Sequence, residues 1–592
     1  MRNNSIILNC NSKQINPMRT YQILVVFVLV LSISISANAQ TKKNGKTSPC
    51  ADNKQKEALQ QHIDSLVASK VSENQPGVAI GVLWDDKVWM KKAYGLMNID
   101  QNSSIDENTV FNIASVSKQF TAFAILKLEE EGKLNLDDNI RDYLPKLPAY
   151  ENVITIRNLI QHTSGIASTD VLRLFAGVSF EKQWSQQNEI DLIMSYPQLN
   201  FTPNSQHVYS NAGYSILTQI VEIVSEMKFS EFLKKKVFDP LAMSSSFVYD
   251  DPKIDLSTCS TGYKKGKDQF IPFGNGKDYT YGAGNIHTSL NDMLRWGQNI
   301  FSSSIGQDNY INKISNTYNT LNNGDTLTYT YGFYVKNYKG IKMVEHSGGD
   351  LGFRSQFMIF PEEKLLLVLL FNTESINTRR LAYQITDLIF AGKIIEEAPK
   401  QRVEITVEKE KLQLLEGDYQ MPDGMQFGFD LKQDTLWLVL PGEDRYPLYA
   451  ESPNHFFLKA FKAQCTFIKG SDGSVNELIW HQGGKDYKAD KTVKRKSLTK
   501  EELACYVGKY YHNSLKVEYP IALQDDILTI TPPSTFKTYL DFDSVKLSHL
   551  KGDKFSTDNF GLLEFTRNDA NQINGFVLLD VGRVQNIRFS KN

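Results

Sequence analysis

The chain predicts an α/β (α+β) fold: one antiparallel sheet flanked by helices, a helical lobe inserted beside it, and two small all-β modules behind. Three observations lead there. Strand-like runs and one helix lie at each end of roughly 340 residues, with helices and loops between them. The texture changes near residue 400 to short alternating strands and turns. Beyond that point "EKLQLLEGDY" (Glu410 to Tyr419) recurs as "EELACYVGKY" (Glu501 to Tyr510), 91 positions later.

In chain order, Arg2, Lys13 and Arg19 precede the apolar run Ile23 to Ile35, and Ala37-Asn38-Ala39 offers a small-x-small cleavage site. Residues 1–39 therefore read as a signal peptide cut after Ala39, with Met18 a second candidate start. An uncleaved anchor is the rival reading, but a bilayer needs about 20 apolar residues and this run is shorter. The expectation is export, to a periplasm or beyond the cell, with membrane contact only through an uncleaved signal.

Leu59, Ile63, Leu66 and Val67 recur at helical spacing. Gly77 to Trp84, an Asp85-Asp86 turn and Lys87 to Tyr94 read as a hairpin. Strands return at Tyr331 to Val335, Phe357 to Phe360 and Lys364 to Phe371, and a helix at Arg379 to Phe390. The economical solution builds one sheet from both ends, a domain over 54–395, with a cleft where the helical insert meets it. "EEAPKQR" (Glu396 to Arg402) reads as a linker, followed by β modules at 405–490 and 500–592. "DTLWLVLP" (Asp434 to Pro441) matches "DDILTITP" (Asp525 to Pro532) at the same offset. Phe467 with Phe565, and Leu478 with Phe576, correspond after a small insertion, and the basic stretch Lys491 to Lys500 joins the copies as a solvated linker.

Composition narrows the function. Net charge is −2, which gives no basic face for nucleic acid. Five cysteines without a C-x-x-C exclude a redox or zinc pattern; Cys465 and Cys505 could form a bridge or stand as isolated thiols. There is no H-E-x-x-H and no G-x-S-x-G, so neither a metal, a cofactor nor a nucleophile-elbow hydrolase is indicated.

The chemistry concentrates in "FNIASVSKQFTAFAIL" (Phe111 to Leu126). Ser115 and Lys118 stand three apart, so on a helix they share a face. A serine hydroxyl needs a base to become a nucleophile, and a lysine in an apolar pocket has its pKa lowered toward that task. The Ser115 N–H at a helix start can meet an oxyanion. S-x-x-K alone recurs by chance. The apolar continuation Phe120, Phe123, Ala124, Leu126 says that the helix is buried and that Lys118 must be satisfied by something specific. Ser117 faces elsewhere and reads as structural, as does His162 in "HTSG".

Two further segments join this one. "HVYSNAGY" (His207 to Tyr214) holds Tyr209-Ser210-Asn211, and "VEHSGGDLGF" (Val344 to Phe353) holds His346-Ser347-Gly348. S-x-x-K, Y-x-N and a basic residue-x-G, in this order, resemble the three-part signature of the penicillin-recognising serine hydrolases. The match is to the β-lactamase-related branch of class C β-lactamases, D-Ala-D-Ala carboxypeptidases, D-aminopeptidases and esterases. "LIQHTSGI" (Leu159 to Ile166) and "YGAGNIHTSLNDMLRW" (Tyr281 to Trp296) resemble it too, over about Glu57 to Gly392. The two β modules resemble the barrel or lipocalin-like domains appended to some members.

The resemblance implies a β-lactamase/transpeptidase-like fold and no cofactor. Ser115 would be acylated. Lys118 and Tyr209 would share the base role, a coupled pair that sequence leaves unassigned. Asn211 would bind Lys118 and the substrate amide, and His346 would tune the relay or bind an acidic group. Ser347 and Gly348 would line the substrate strand, and the N–H groups of Ser115 and Gly349 would form the oxyanion hole. The β-lactamases of this branch carry lysine where this chain has His346, a mostly neutral side chain at pH 7. That favours small amides, D-residue peptides, esters or cell-wall material over antibiotics. A sensor that acylates once, or a true β-lactamase, is the alternative.

Overall fold

The computed structural model describes residues 53–274, 276–316, 319–395, 402–421, 426–440, 445–483, 485–492, 498–557 and 559–592. Residues 1–39, Cys50, most of Glu396 to Arg402 and half of Lys491 to Lys500 lie outside the described residues. The N-terminal half is built on one six-stranded sheet made of β1 (Val78–Trp84), β2 (Lys87–Tyr94), β3 (Tyr334–Tyr338), β4 (Ile341–Asp350), β5 (Phe353–Phe360) and β6 (Leu365–Phe371), in the order β3-β4-β5-β6-β1-β2. β1 pairs antiparallel with β6 from Val78↔Phe371 to Trp84↔Leu365, which joins the two ends of the chain. The Asp85-Asp86 turn takes φ of 48° and 61°, the paired left-handed geometry of a tight hairpin.

β6 is buried on both faces. Leu365, Leu367, Leu369 and Phe371 pack with α1 (Asn53–Ala68) and α6 (Thr378–Ile389) through Ile63, Val67, Leu381 and Ile385. Leu366, Val368 and Leu370 face the opposite core with Leu290, Leu294 and Trp296 of α5 (Leu290–Ser302). Truncating one such leucine to alanine costs about 2–5 kcal/mol.

Two strands start several residues from where the sequence predicts, and β5 is one of them, opening at Phe353 instead of Phe357. The first C-terminal strand begins at Tyr334, not Tyr331, because Gly332, at φ 81°, turns the chain against the Gln119 backbone. The strand β4, implied at His346 by the family resemblance, is present and runs from Ile341 to Asp350. Its Gly348-Gly349 pair is poor strand sequence, yet a Cβ on Gly348 would lie 2.3 Å from the Ile113 carbonyl and 2.1 Å from Ser355 Oγ. The glycine lets β4 lie against the loop that leads into Ser115.

The helical lobe contains α2 (Lys118–Glu130), α3 (Thr169–Phe175) and α4 (Asn211–Ser225). Behind it stand two closed eight-stranded barrels, from Gly417–Gln420 to Lys485–Thr492 and from Gly508–His512 to Gln585–Lys591. The repeat is structural in detail. Tyr419 and Tyr510 are both buried and donate to the carbonyl four residues back, Leu415 at 3.2 Å and Tyr506 at 2.7 Å. Cys465 is buried in the first barrel and Cys505 is exposed at the second, and both are free thiols, so the bridge between them is not formed. Among the described residues no helix is long and apolar enough to cross a membrane.

Candidate active site

The site forms where β4 meets the start of α2. Ala114 holds φ of 48°, a strained value for a residue with a Cβ, and a 3₁₀ turn over Ala114–Ser117 runs directly into α2. The Ala114 N–H donates to Asn112 Oδ1 at 2.8 Å and the Val116 N–H to the Ile113 carbonyl at 3.2 Å. The Ser115 N–H between them has no acceptor among the described residues and sits in the position an oxyanion donor needs.

Lys118 is fully buried, and no carboxylate among the described residues pairs with it. Its Nζ donates to the Ala283 carbonyl at 2.7 Å and to Asn211 Oδ1 at 2.9 Å, and meets Ser115 Oγ at 3.3 Å. Burial lowers its pKa well below the usual lysine value, and the nearby Arg583 charge lowers it further. In its neutral form Lys118 would keep two N–H donors on Ala283 and Asn211 and turn its lone pair to Ser115.

The same Nζ lies 4.7 Å from the centre of the Tyr209 ring. The Tyr209 hydroxyl is buried and closes no hydrogen bond of ordinary geometry. Burial raises its pKa far above the ordinary tyrosine value, while Arg583 and then the Ser115 hydroxyl pull the other way. Asn211 opens α4, where its N–H donates to Ser168 Oγ at 3.0 Å, and it holds Lys118 from below the cleft floor. Ser117 proves structural: its hydroxyl accepts from the Ile286 N–H at 3.1 Å.

His346 is buried on β4. Its Nδ1 lies 2.7 Å from the Ser347 carbonyl and its Nε2 lies 3.1 Å from the Tyr329 hydroxyl. A carbonyl can only accept, so Nδ1 carries the proton and Nε2 accepts from Tyr329. Burial, seconded by Lys118, pushes its pKa down to about 3, so the ring is neutral at pH 7. This position supplies no cation.

Ser115, Tyr209, His346, Ser347, Gly348 and Gly349 line one cleft of about 530 Å³. All eight residues singled out in the sequence come to this place: six on the cleft wall, with Lys118 and Asn211 immediately behind. Sequence reasoning missed several neighbours. His162, read from sequence as structural, packs its ring tilted against Tyr209 at 4.2 Å and Tyr329 at 4.6 Å, and its Nδ1 accepts from the Ser210 N–H at 3.2 Å. It therefore orients the Tyr-x-Asn segment directly. Tyr329 carried no motif. Arg354, Glu374, Arg379 and Arg583 also line the cleft, and Arg583 comes from the second barrel.

Comparison with known proteins agrees with this geometry. The family model described as Beta-lactamase matches residues 59–388. The chain belongs to the beta-lactamase family. Within it, penicillin-binding protein 4* of Bacillus subtilis (strain 168) is 26% identical over 454 residues, covering 73% of this chain and 98% of that protein. A D-aminopeptidase of Brucella anthropi is 27% identical over 300 residues, 50% of this chain and 56% of the relative's length. The structure of the octameric penicillin-binding protein homologue from Pyrococcus abyssi matches with a TM-score of 0.51 and 24% identity, covering 74% of this chain and 99% of that one, a likeness of fold. The chain is a serine hydrolase of this family, with two closed barrels at its C-terminal end.

Proposed function

We propose that the protein is exported and hydrolyses small amides, D-residue-containing peptides or esters through an acyl-enzyme on Ser115. The observation that carries this reading is the contact of Lys118 Nζ with Ser115 Oγ, 3.3 Å, while Asn211 and Ala283 hold the amine in place. The Ser115 proton passes to the Lys118–Tyr209 pair as Oγ attacks the substrate carbonyl. The N–H groups of Ser115 and Gly349 receive the oxyanion. The pair returns the proton to the departing amine or alcohol, and water then cleaves the ester by the same route in reverse.

The relatives named as a penicillin-binding protein and a D-aminopeptidase support substrates with D-residues. The neutral His346 weighs against a β-lactam's carboxylate being met on β4. Export rests on the basic, apolar and small-x-small pattern before Gln40, and N-terminal sequencing of the processed protein checks it.

Ser115→Ala should abolish ester turnover, a loss of at least about 10³-fold for a nucleophile acting with its base. Retained turnover would sink the assignment. Steady-state turnover separates the hydrolase from a receptor, which gives a single burst of product. Intact mass after exposure to a β-lactam, with Ser115→Ala as control, reads whether such a ring is opened on Ser115.

A further inference from the structure

The second barrel reaches the cleft through one hairpin tip. Strands Ile573–Asp580 and Gln585–Lys591 pair up to Asp580↔Gln585, leaving residues 581–584 as the loop, with Gly582 at φ 93°. Val584 is fully buried in the barrel's own core and anchors the tip from behind. Asn200 of the helical lobe clamps it from the front: its Nδ2 donates to the Arg583 carbonyl at 3.0 Å and its Oδ1 accepts from the Gln585 N–H at 2.9 Å. The main chain of the tip is thus held without help from the Arg583 side chain.

That side chain runs into the cleft. Its guanidinium lies 4.8 Å from the centre of the Tyr209 ring, and Nη1 donates to Asp170 Oδ2 at 2.7 Å. The contact with Asp170 is single, not a two-pronged fork, so it aims the guanidinium while leaving other N–H donors toward the cleft. Of the other guanidinium groups on the wall, Arg354 is already committed to Glu374 at 3.1 Å and to the Asp350 and Phe353 carbonyls at 2.7 Å each. Arg379 reaches Ser347 Oγ at 3.3 Å on β4. His346 is neutral between them. A cleft with three arginines and one carboxylate on its wall suits an anionic substrate.

We propose that Arg583, delivered by the second barrel, is a specificity-determining residue that hydrogen-bonds a carboxylate of the substrate. This deepens the Ser115 reading and rests on it. It makes the barrel part of the active site and names the substrate class: small acyl compounds bearing a free carboxylate. The Arg583 charge also opposes the burial that raises Tyr209, so the same group that binds the anion faces the base pair.

The test uses the full chain and two pairs of aryl esters. In one pair the leaving phenol carries a 3-carboxy or a 3-carbamoyl group; in the other the acyl chain does. The wild-type kcat/KM is expected to favour the carboxylate member of at least one pair. Arg583→Ala should reduce that preference about 10- to 100-fold, mainly through KM, and Arg583→Lys should restore part of it. The ratio compares two substrates on one protein, so a general loss from a disturbed Tyr209 cancels. An unchanged ratio in Arg583→Ala, or no preference in the wild type for either pair, overturns the proposal. Calorimetric binding of the matching anilides to Ser115→Ala, with and without Arg583→Ala, reads the carboxylate contact without turnover. A failure of the Ser115 mechanism and a failure of the Arg583 contact are thereby told apart.

Discussion

The two C-terminal barrels share one closed fold and one buried tyrosine, yet they stand differently toward the enzyme. In the first barrel, strands Val475–Gln482 and Lys485–Thr492 pair up to Gln482↔Lys485, with two positions between them in the sequence. In the second, the equivalent hairpin carries four residues between Asp580 and Gln585, and Arg583 is one of them. Among the described residues, the first barrel's core is drawn from residues 407–489. The second barrel's core continues into the helical lobe through Ala167, Leu172, Phe175 and Tyr196. Phe175 enters it edge-on to Phe536 at 5.0 Å, and the Tyr519 hydroxyl donates to the Phe175 carbonyl at 3.0 Å. After duplication of a module, a short loop and an apolar patch are enough to turn one copy from a neighbour into a wall of the site.

The sharpest way to break this contrast is a pair of core substitutions. Phe175→Ala should cost about 3–5 kcal/mol of packing between lobe and second barrel, and ester turnover should fall with it as the Arg583 tip loosens. Phe467→Ala removes a fully buried ring of the first barrel and should cost that barrel a similar amount while the ester kinetics of the folded protein hold. Denaturant unfolding followed beside kcat/KM reads both, with the domains unfolding as separate transitions. Equal kinetic damage from the two would erase the distinction.

Acid gives a smaller effect. His512 of the second barrel is buried against Tyr196 of the lobe at 5.7 Å, and burial pushes its pKa down to about 4. Unfolding would let His512 bind a proton more readily, so its contribution to stability is fully present above about pH 6.5 and weakens as pH falls toward 4. The loss is on the order of 2 kcal/mol once residual solvent screening is allowed for. Trp184, which packs on Arg173 in the helical lobe, and Trp480 in the first barrel should report it unequally in fluorescence, Trp184 first. A simultaneous change would mean that acid acts on the whole chain. Glu189, also in the lobe and held protonated to about 7 by burial, works in the opposite sense, losing its contribution as pH rises.

The smallest effect is a difference in rate only. Cys505 is exposed and Cys465 buried, so a maleimide should label Cys505 in the native protein and Cys465 only after the first barrel opens. Early labelling of Cys465 would show that barrel to be the looser of the two.

Much of the catalytic half was legible because its signals are local. The Ser115–Lys118 spacing places both on one helical face whatever surrounds them, and the alternation of β6 leucines between two cores follows from a strand's period of two. The strand β4 was harder, since Gly348-Gly349 weakens every strand signal and is there for the approach of Ile113. His162 was legible as structural but not as the ring beneath Tyr209, because its partners lie 47 and 167 positions away in the chain.

By itself the sequence determined the pairing of Ser115 with Lys118, the order of the three motifs, and the doubling of a barrel module, all properties of residues close together or repeated at a fixed offset. Only the tertiary structure decided that His346 is neutral, that Tyr329 holds it, and that Arg583 meets Asp170 across 413 positions. A pKa depends on what excludes water from a side chain, and a contact between domains depends on which surfaces dock. Neither is written in the spacing of residues along the chain.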